Sequence, residues 1–232
     1  MQTVEFELKE LPYEINEELK LLRTNLQFCG TDKRVILMTS AVSGEGKSTV
    51  TLDLCRSLTE LGKSVLLIDA DMRKSVMKKR VKGEVPKYGL SHFLSGQCEV
   101  DDILIRTNVK NLYVIFSGSV PPNPTELLSS KNMENLIRIG KMNCDYVIID
   151  CPPVGMVVDA AIVAPMCDGS LIMIESGKIK YRHAQEVAEK MRATGVPILG
   201  VILNNVDYKG SGKYYGRYYG KYYGKKYGGY YQ

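Results

Sequence analysis

The segment that most restricts the fold is Val35-Ile-Leu-Met-Thr-Ser40, followed by the loop Ala41-Val-Ser-Gly-Glu-Gly46 and then by Lys47-Ser48-Thr49 at the head of an amphipathic stretch ending at Gly62. A six-residue apolar run is too short for a core helix and reads as a strand buried on both faces. Such a strand needs cover on both sides, which is the habit of mostly parallel sheets. Similar runs recur at 64–71, 111–118, 145–150, 170–176 and 197–206. Helical patterns lie between them, notably at 131–142 and 179–193. A further amphipathic helix is predicted over 16–28, with Leu19, Leu22 and Leu26 on one side and Asn16 as its N-cap. The expected class is therefore α/β: a P-loop NTPase fold with a mostly parallel central sheet and helices on both faces.

Three motifs carry chemistry. In the loop, Ser43, Gly44, Glu45, Gly46, Lys47, Ser48 and Thr49 have the spacing of a phosphate-binding loop, with Ala41 in place of its usual first glycine. Gly44 and Gly46 let backbone N–H groups wrap phosphate oxygens, and the helix N-terminus adds its positive end. Lys47 is placed to reach the β- and γ-phosphates, and the Ser48 hydroxyl to ligate Mg²⁺. The second motif ends an apolar strand with Asp69 and Asp71, two residues apart and so expected on one side of it. One can hold Mg²⁺ while the other takes a proton; capping of a following helix is the plainer alternative. In the third, Tyr146-Val-Ile-Ile-Asp150, the terminal acid would complete the Mg²⁺ shell. Catalytic candidates are thus Lys47, Asp69, Asp71 and Asp150, and metal candidates Ser48, Asp71 and Asp150. Asn204 or Asn205 either approaches the adenine or shapes a turn. Arg73 and Asp159 are candidates for support of the acceptor site or for an ordinary ion pair.

Past Asp207 the apolar pattern stops. Nine of the chain's 15 tyrosines follow: Tyr214, Tyr215, Tyr218, Tyr219, Tyr222, Tyr223, Tyr227, Tyr230 and Tyr231. Residues 1–207 read as one domain and 208–232 as a flexible Tyr/Gly/Lys-rich tail. Of the net charge of +5, six positive charges lie after Asp207, so the body carries about −1 and no nucleic-acid partner is expected. The six cysteines show no C-x-x-C and there are only two histidines, which suits reduced thiols and lacks the ligands for structural zinc. The N-terminus has no apolar signal core. The long apolar stretch 146–167 is broken by Asp150, Asp159 and three prolines, so a cytoplasmic chain without a spanning helix is expected.

SGEGKST (43–49), VLLIDADMRK (65–74), YGLSHFLSG (88–96), FSGSVPPNPTELLSS (116–130), DYVIIDCPPV (145–154) and the tyrosine-rich end together resemble the bacterial tyrosine kinases of capsule and exopolysaccharide synthesis, the CpsD/CapB type. The resemblance implies a P-loop kinase unrelated to the eukaryotic protein kinases. It implies transfer of the γ-phosphate of ATP, with Mg²⁺, to clustered C-terminal tyrosines, largely on neighbouring protomers. It assigns Lys47 and Ser48 to phosphate and Mg²⁺, Asp69 and Asp71 to the second acidic motif, and Asp150 to the third. It also implies a homo-oligomeric ring, an octamer among its forms, a separate membrane adaptor of the polysaccharide co-polymerase type, and a cognate phosphotyrosine phosphatase. The chain would then be cytoplasmic and recruited to the inner face of the cell membrane. The family's ring-pairing E-x-x-R-x-x-R is matched by Glu17, Lys20 and Arg23, with Lys20 unable to make the bidentate fork of an arginine. A solvated charged face is the alternative for this helix.

Two other functions compete. A partitioning-type P-loop ATPase would pass the phosphate to water, but such enzymes carry a lysine where Val42 stands. An ATP-sensing scaffold of the polysaccharide machinery would bind nucleotide without turnover.

Overall fold

A computed structural model describes residues 2–206 of the chain. Among these residues nine strands form one sheet: β1 (Thr3–Phe6), β2 (Val35–Ser40), β3 (Val65–Asp69), β4 (Val81–Lys82), β5 (Ile105–Thr107), β6 (Leu112–Ile115), β7 (Tyr146–Asp150), β8 (Gly169–Glu175) and β9 (Ile198–Asn204). Their order across the sheet is β4-β1-β5-β6-β3-β7-β2-β8-β9. From β6 to β9 every pairing is parallel; β5 runs antiparallel to β6, and β4 antiparallel to β1. The expected mostly parallel α/β sheet is what forms.

Alternation along the central strands sends side chains into two cores. Leu37, Leu66, Ile68, Val147 and Ile149 face one way, against α6 (Lys131–Asn143), α7 (Asp159–Val163) and α8 (Tyr181–Arg192). Ile36, Met38, Leu67 and Ile148 face the other way, against α1 (Tyr13–Phe28) and α2 (Lys47–Glu60), whose Leu26, Leu52, Cys55 and Leu58 complete that core. Burial on both faces explains why these strands are continuous apolar runs. Short helices α3 (Leu90–Leu94), α4 (Val100–Ile103) and α5 (Pro124–Leu128) fill the connections, with 3₁₀ turns at Met77–Arg80 and Ala164–Met166. Among the described residues no helix is long and apolar enough to cross a membrane.

One boundary needs correction. The first helix begins at Tyr13, not Asn16; Pro12 holds the N-cap position, and the Asn16 N–H donates to the Pro12 carbonyl at 3.0 Å. Proline has no N–H to lose and a fixed φ, so it suits a helix start as well as asparagine does. On this helix Lys20 bonds Glu17 at 2.7 Å, in the open. Arg23 instead turns to α2, where it donates to the Ser57 carbonyl at 2.6 Å and pairs with Glu60 at 3.0 Å. Arg23 therefore ties α1 to α2 within one chain.

β9 is an edge strand, with Val201 and Leu203 about half exposed. The nine tyrosines that follow it in sequence, and the 208–232 tail, lie outside the described residues.

Candidate active site

β2 ends at Ser40 and α2 starts at Lys47, so the loop between them sits at the carboxyl edge of the sheet, where open α/β sheets bind ligands. Gly44 and Gly46 take φ values of +80° and +85°, a region that disfavours any side chain. A Cβ on Gly46 would lie 2.2 Å from Asn204 Nδ2. The loop is braced from inside. The buried Glu45 carboxylate accepts the N–H groups of Ala41 (2.8 Å) and Val42 (2.9 Å) through one oxygen, and of Glu175 (3.2 Å) through the other. The Glu45 side chain is thus turned into the fold, leaving its backbone to meet a ligand. Asn204 donates to the Glu45 carbonyl at 2.9 Å, and Lys178 to the Gly44 carbonyl at 2.8 Å while pairing with Glu175 at 2.6 Å. Asn205, in the left-handed region at φ 54°, donates to Glu175 at 3.0 Å. The ends of β8 and β9 therefore clasp the phosphate loop.

Beside this loop opens a cavity of about 280 Å³, walled by Gly44, Gly46, Lys47, Ser48 and Thr49 and, opposite, by Asp71 and Lys74. A cavity of about 270 Å³ near α1 and α2 is lined by Glu10, Asp53 and Glu60 with one arginine, Arg56, an acidic wall ill suited to a polyphosphate.

The acids meet through strand register. β3 and β7 pair in parallel with Asp69 directly across from Asp150. Asp150 accepts the Lys47 ammonium at 2.5 Å, and both groups are buried. Asp69 accepts from the Ser75 hydroxyl and from the Ser117 N–H at 3.3 Å. Burial, helped by the Asp150 charge, pushes the Asp69 carboxyl up to about 7. Asp71 arrives differently from the expectation. β3 ends at Asp69, so strand alternation does not place Asp71; a turn does, with its carboxylate accepting the N–H groups of Arg73 (3.2 Å) and Lys74 (2.9 Å). Neither acid caps a following helix. Among the described residues no three Asp, Glu, His or Cys side chains converge as a ready metal cage. That fits Mg²⁺ at a nucleotide, which takes most of its ligands from water and phosphate and only one or two from protein.

The Asp69 shift has a measurable sign. The folded chain keeps this proton where the unfolded chain, near pH 4, has already lost it. Its contribution to stability therefore declines as pH rises from about 4 through 7. Asp69→Asn should flatten the fall of the melting temperature between pH 5 and 8; an unchanged slope would mean that the carboxyl is ionised throughout.

Arg73 and Asp159 form a bidentate pair, Nε–Oδ2 2.8 Å and Nη2–Oδ1 2.9 Å, with Asp159 fully buried. Arg73 also donates to Thr125 Oγ1 at 3.0 Å, so it joins the segment after β3 to α5 and α7.

The profile of the AAA domain family matches residues 33–193. Tyrosine-protein kinase CpsD of Streptococcus agalactiae is 44% identical over 191 residues, covering 82% of this chain and 83% of the relative. The chain belongs to the CpsD family of protein-tyrosine kinases. CpsD of Streptococcus pneumoniae serotype 4 is 41% identical over 209 residues, covering 89% of this kinase and 92% of the relative. The solved kinase domain of Escherichia coli tyrosine kinase ETK superposes with a TM-score of 0.77 at 31% identity, over 82% of this kinase and 75% of that chain.

In this kinase the loop residues, Lys47 and Asp71 line the cavity, Asp150 reaches it through its contact with Lys47, Asp69 is buried across the strand pair from Asp150, and Asn204 touches the loop backbone. The reading of the sequence missed Lys178 and Glu175 in the clasp, and also Arg80, whose guanidinium bonds the Thr49 hydroxyl. Lys178 and Gly44 are 134 residues apart, and no local motif announces such a contact.

Proposed function

We propose that this kinase transfers the γ-phosphate of ATP to tyrosines Tyr214 to Tyr231, largely between protomers, in the control of capsular or extracellular polysaccharide synthesis. The observation that carries the reading is the register placing Asp69 beside Asp150 and Lys47 next to the phosphate-loop cavity. The cavity size, the glycine cradle and the donor set fit a bound nucleotide triphosphate. Ser48, Asp71 and Asp150 would hold Mg²⁺, which would offset phosphate charge. Loop N–H groups and Lys47, once released from Asp150, bind the phosphates. The tyrosine oxygen forms its bond to the γ-phosphorus as the bond to the β-bridging oxygen breaks. The hydroxyl proton passes to an aspartate, and ADP leaves. Two groups are candidates for that base: Asp69, with its carboxyl near neutrality, and Asp71, on the cavity wall. Asn204 holds the loop and, by its place at the end of β9, the adenine side of the site.

The same reading includes a homo-oligomeric ring, eight protomers being one form, built on the exposed Glu17 and Lys20 of α1 with Arg23 fixing that helix to its own core. It includes a membrane adaptor of the co-polymerase type, a cognate phosphatase, and a cytoplasmic chain drawn to the inner membrane face.

The test is incubation of the full chain with Mg²⁺ and ATP, with and without the adaptor's cytoplasmic segment, followed by mass-spectrometric mapping. Phosphate on Tyr214 to Tyr231 is expected. Free phosphate with unmodified tyrosines would assign a partitioning-type ATPase instead, and nucleotide binding without turnover in both samples a scaffold.

A further inference from the structure

Between Asp71 and Glu84 the chain carries Arg73, Lys74, Lys78, Lys79, Arg80 and Lys82 and no acid. Two of these cations have carboxylate partners: Arg73 pairs with Asp159, and Lys82 with Glu5 at 3.7 Å. Lys78 donates to the Gly118 carbonyl at 2.7 Å, and Arg80 to the Thr49 hydroxyl, so both are anchored without being neutralised. Lys74 and Lys79 are exposed, and among the described residues neither has a carboxylate within ion-pair distance. The segment is held at both ends. Asp71 fixes its start through two N–H groups, Met77 is buried beneath it, and Val81–Lys82 pair with β1. A fixed positive strip therefore starts at the cavity, with Lys74 in its wall and Arg80 bonded to Thr49 on the first turn of α2, and Lys79 stands exposed beside Arg80 in the chain.

We propose that this strip captures phosphotyrosine on the chain's own modified C-terminal segment. The proposal rests on the autokinase reading above. The unmodified segment carries six cations and no acid after Asp207, so it gains no charge pairing from the strip and approaches the cavity as substrate only, without being held there. Each phosphate adds about −1.5 to −2 charges, so four cancel the six cations of the segment or make it anionic, and a fifth makes it anionic in either case. Lysines then serve as point-charge partners for phosphate oxygens. Of the carboxylates in the neighbourhood Asp69 is buried and Asp53 is paired with Arg56; Asp71 stands in the cavity wall as one negative charge against the exposed Lys74 and Lys79 and the anchored Lys78 and Arg80. The first three tyrosine pairs, 214/215, 218/219 and 222/223, are four residues apart, at most about 13–14 Å of extended chain. A phosphorylated pair held on the rim thus keeps the next pair within reach of the cavity, and modification would run along the segment rather than scatter.

The experiment needs no turnover. A fluorescent peptide of residues 213–232, phosphorylated at Tyr214, Tyr215, Tyr218 and Tyr219, and its unmodified twin are titrated by anisotropy against the full chain at physiological salt. The variants are Lys74→Gln/Lys79→Gln and, as control, the exposed Lys131→Gln. The phosphopeptide should bind at least tenfold more tightly than its twin, and the double variant should lose at least tenfold while the control loses nothing. Equal binding by wild type and double variant overturns the proposal. So does displacement by hyaluronate at matched charge, which would make the strip a general polyanion surface. If the mapping experiment finds no phosphotyrosine but the peptide binds, the autokinase reading fails and the strip stands; if phosphotyrosine forms and the peptide does not bind, the strip alone fails.

Discussion

Lys47→Met is expected to abolish phosphotransfer and, separately, to lower the melting temperature by on the order of 10 °C. The second effect comes from Asp150. The Lys47 ammonium, 7% exposed, lies 2.5 Å from a carboxylate that is 1% exposed. Burial pulls the lysine's pKa down, but the charge and hydrogen bond of Asp150 oppose it and the net shift is upward, so the ammonium stays charged. Removing the cation leaves a bare carboxylate in the core, directly across the strand pair from Asp69. Breaking such a pair costs about 3–5 kcal/mol, which for a chain of this size is about 2–4 °C per kcal/mol. Lys47→Met/Asp150→Asn should regain most of the melting temperature and none of the activity. Calorimetry on both variants beside a phosphotyrosine blot makes the check. A single variant that melts with the wild type would mean that Asp150 is solvated or protonated once alone. The usual phosphate-loop lysine variant is therefore a control for activity only after its folding has been measured.

The second large effect is asymmetric. Arg73→Met should destabilise by about 3 kcal/mol or more, because Asp159 is fully buried and would lose both of its hydrogen bonds to the guanidinium. Asp159→Asn should cost about 1 kcal/mol, since Arg73 is partly exposed and keeps water and Thr125 as partners. The double variant should lie near Asp159→Asn. Urea unfolding of the three proteins decides it, and equal losses in both single variants would show that packing rather than charge holds the contact. Arg73 also stands two residues beyond Asp71, so loosening it should degrade catalysis before the fold is lost.

The long apolar strands were legible because double-sided burial writes an unbroken apolar run. β1, β4 and β5 were not, since two to four residues hold too little of a period-two pattern: Val4 and Phe6 do alternate with Thr3 and Glu5, but four residues can do so by accident. The start of α1 was misread because Asn16 is the better cap by residue type, while Pro12, four residues earlier, serves as well in place. At the site, the motif residues are close in sequence and could be read from spacing. The clasp could not. Glu45 lies inside the motif, and its type does not say whether the carboxylate faces a ligand or the fold; Lys178, in the turn after β8, and Asn204, at the end of β9, are brought back only by the parallel crossovers. Asp71 does line the phosphate-loop cavity, but a turn and not strand alternation brings it there.

The chemistry sits on β3, β7 and β2, in the middle of the sheet, whereas the chain departs for its tyrosines from β9 at the margin. Residues added, deleted or exchanged beyond Asn205 leave those three strands untouched. On the proposal that it carries the acceptors, the terminal segment is in that sense a detachable cassette, able to diverge in length while the catalytic frame stays constant.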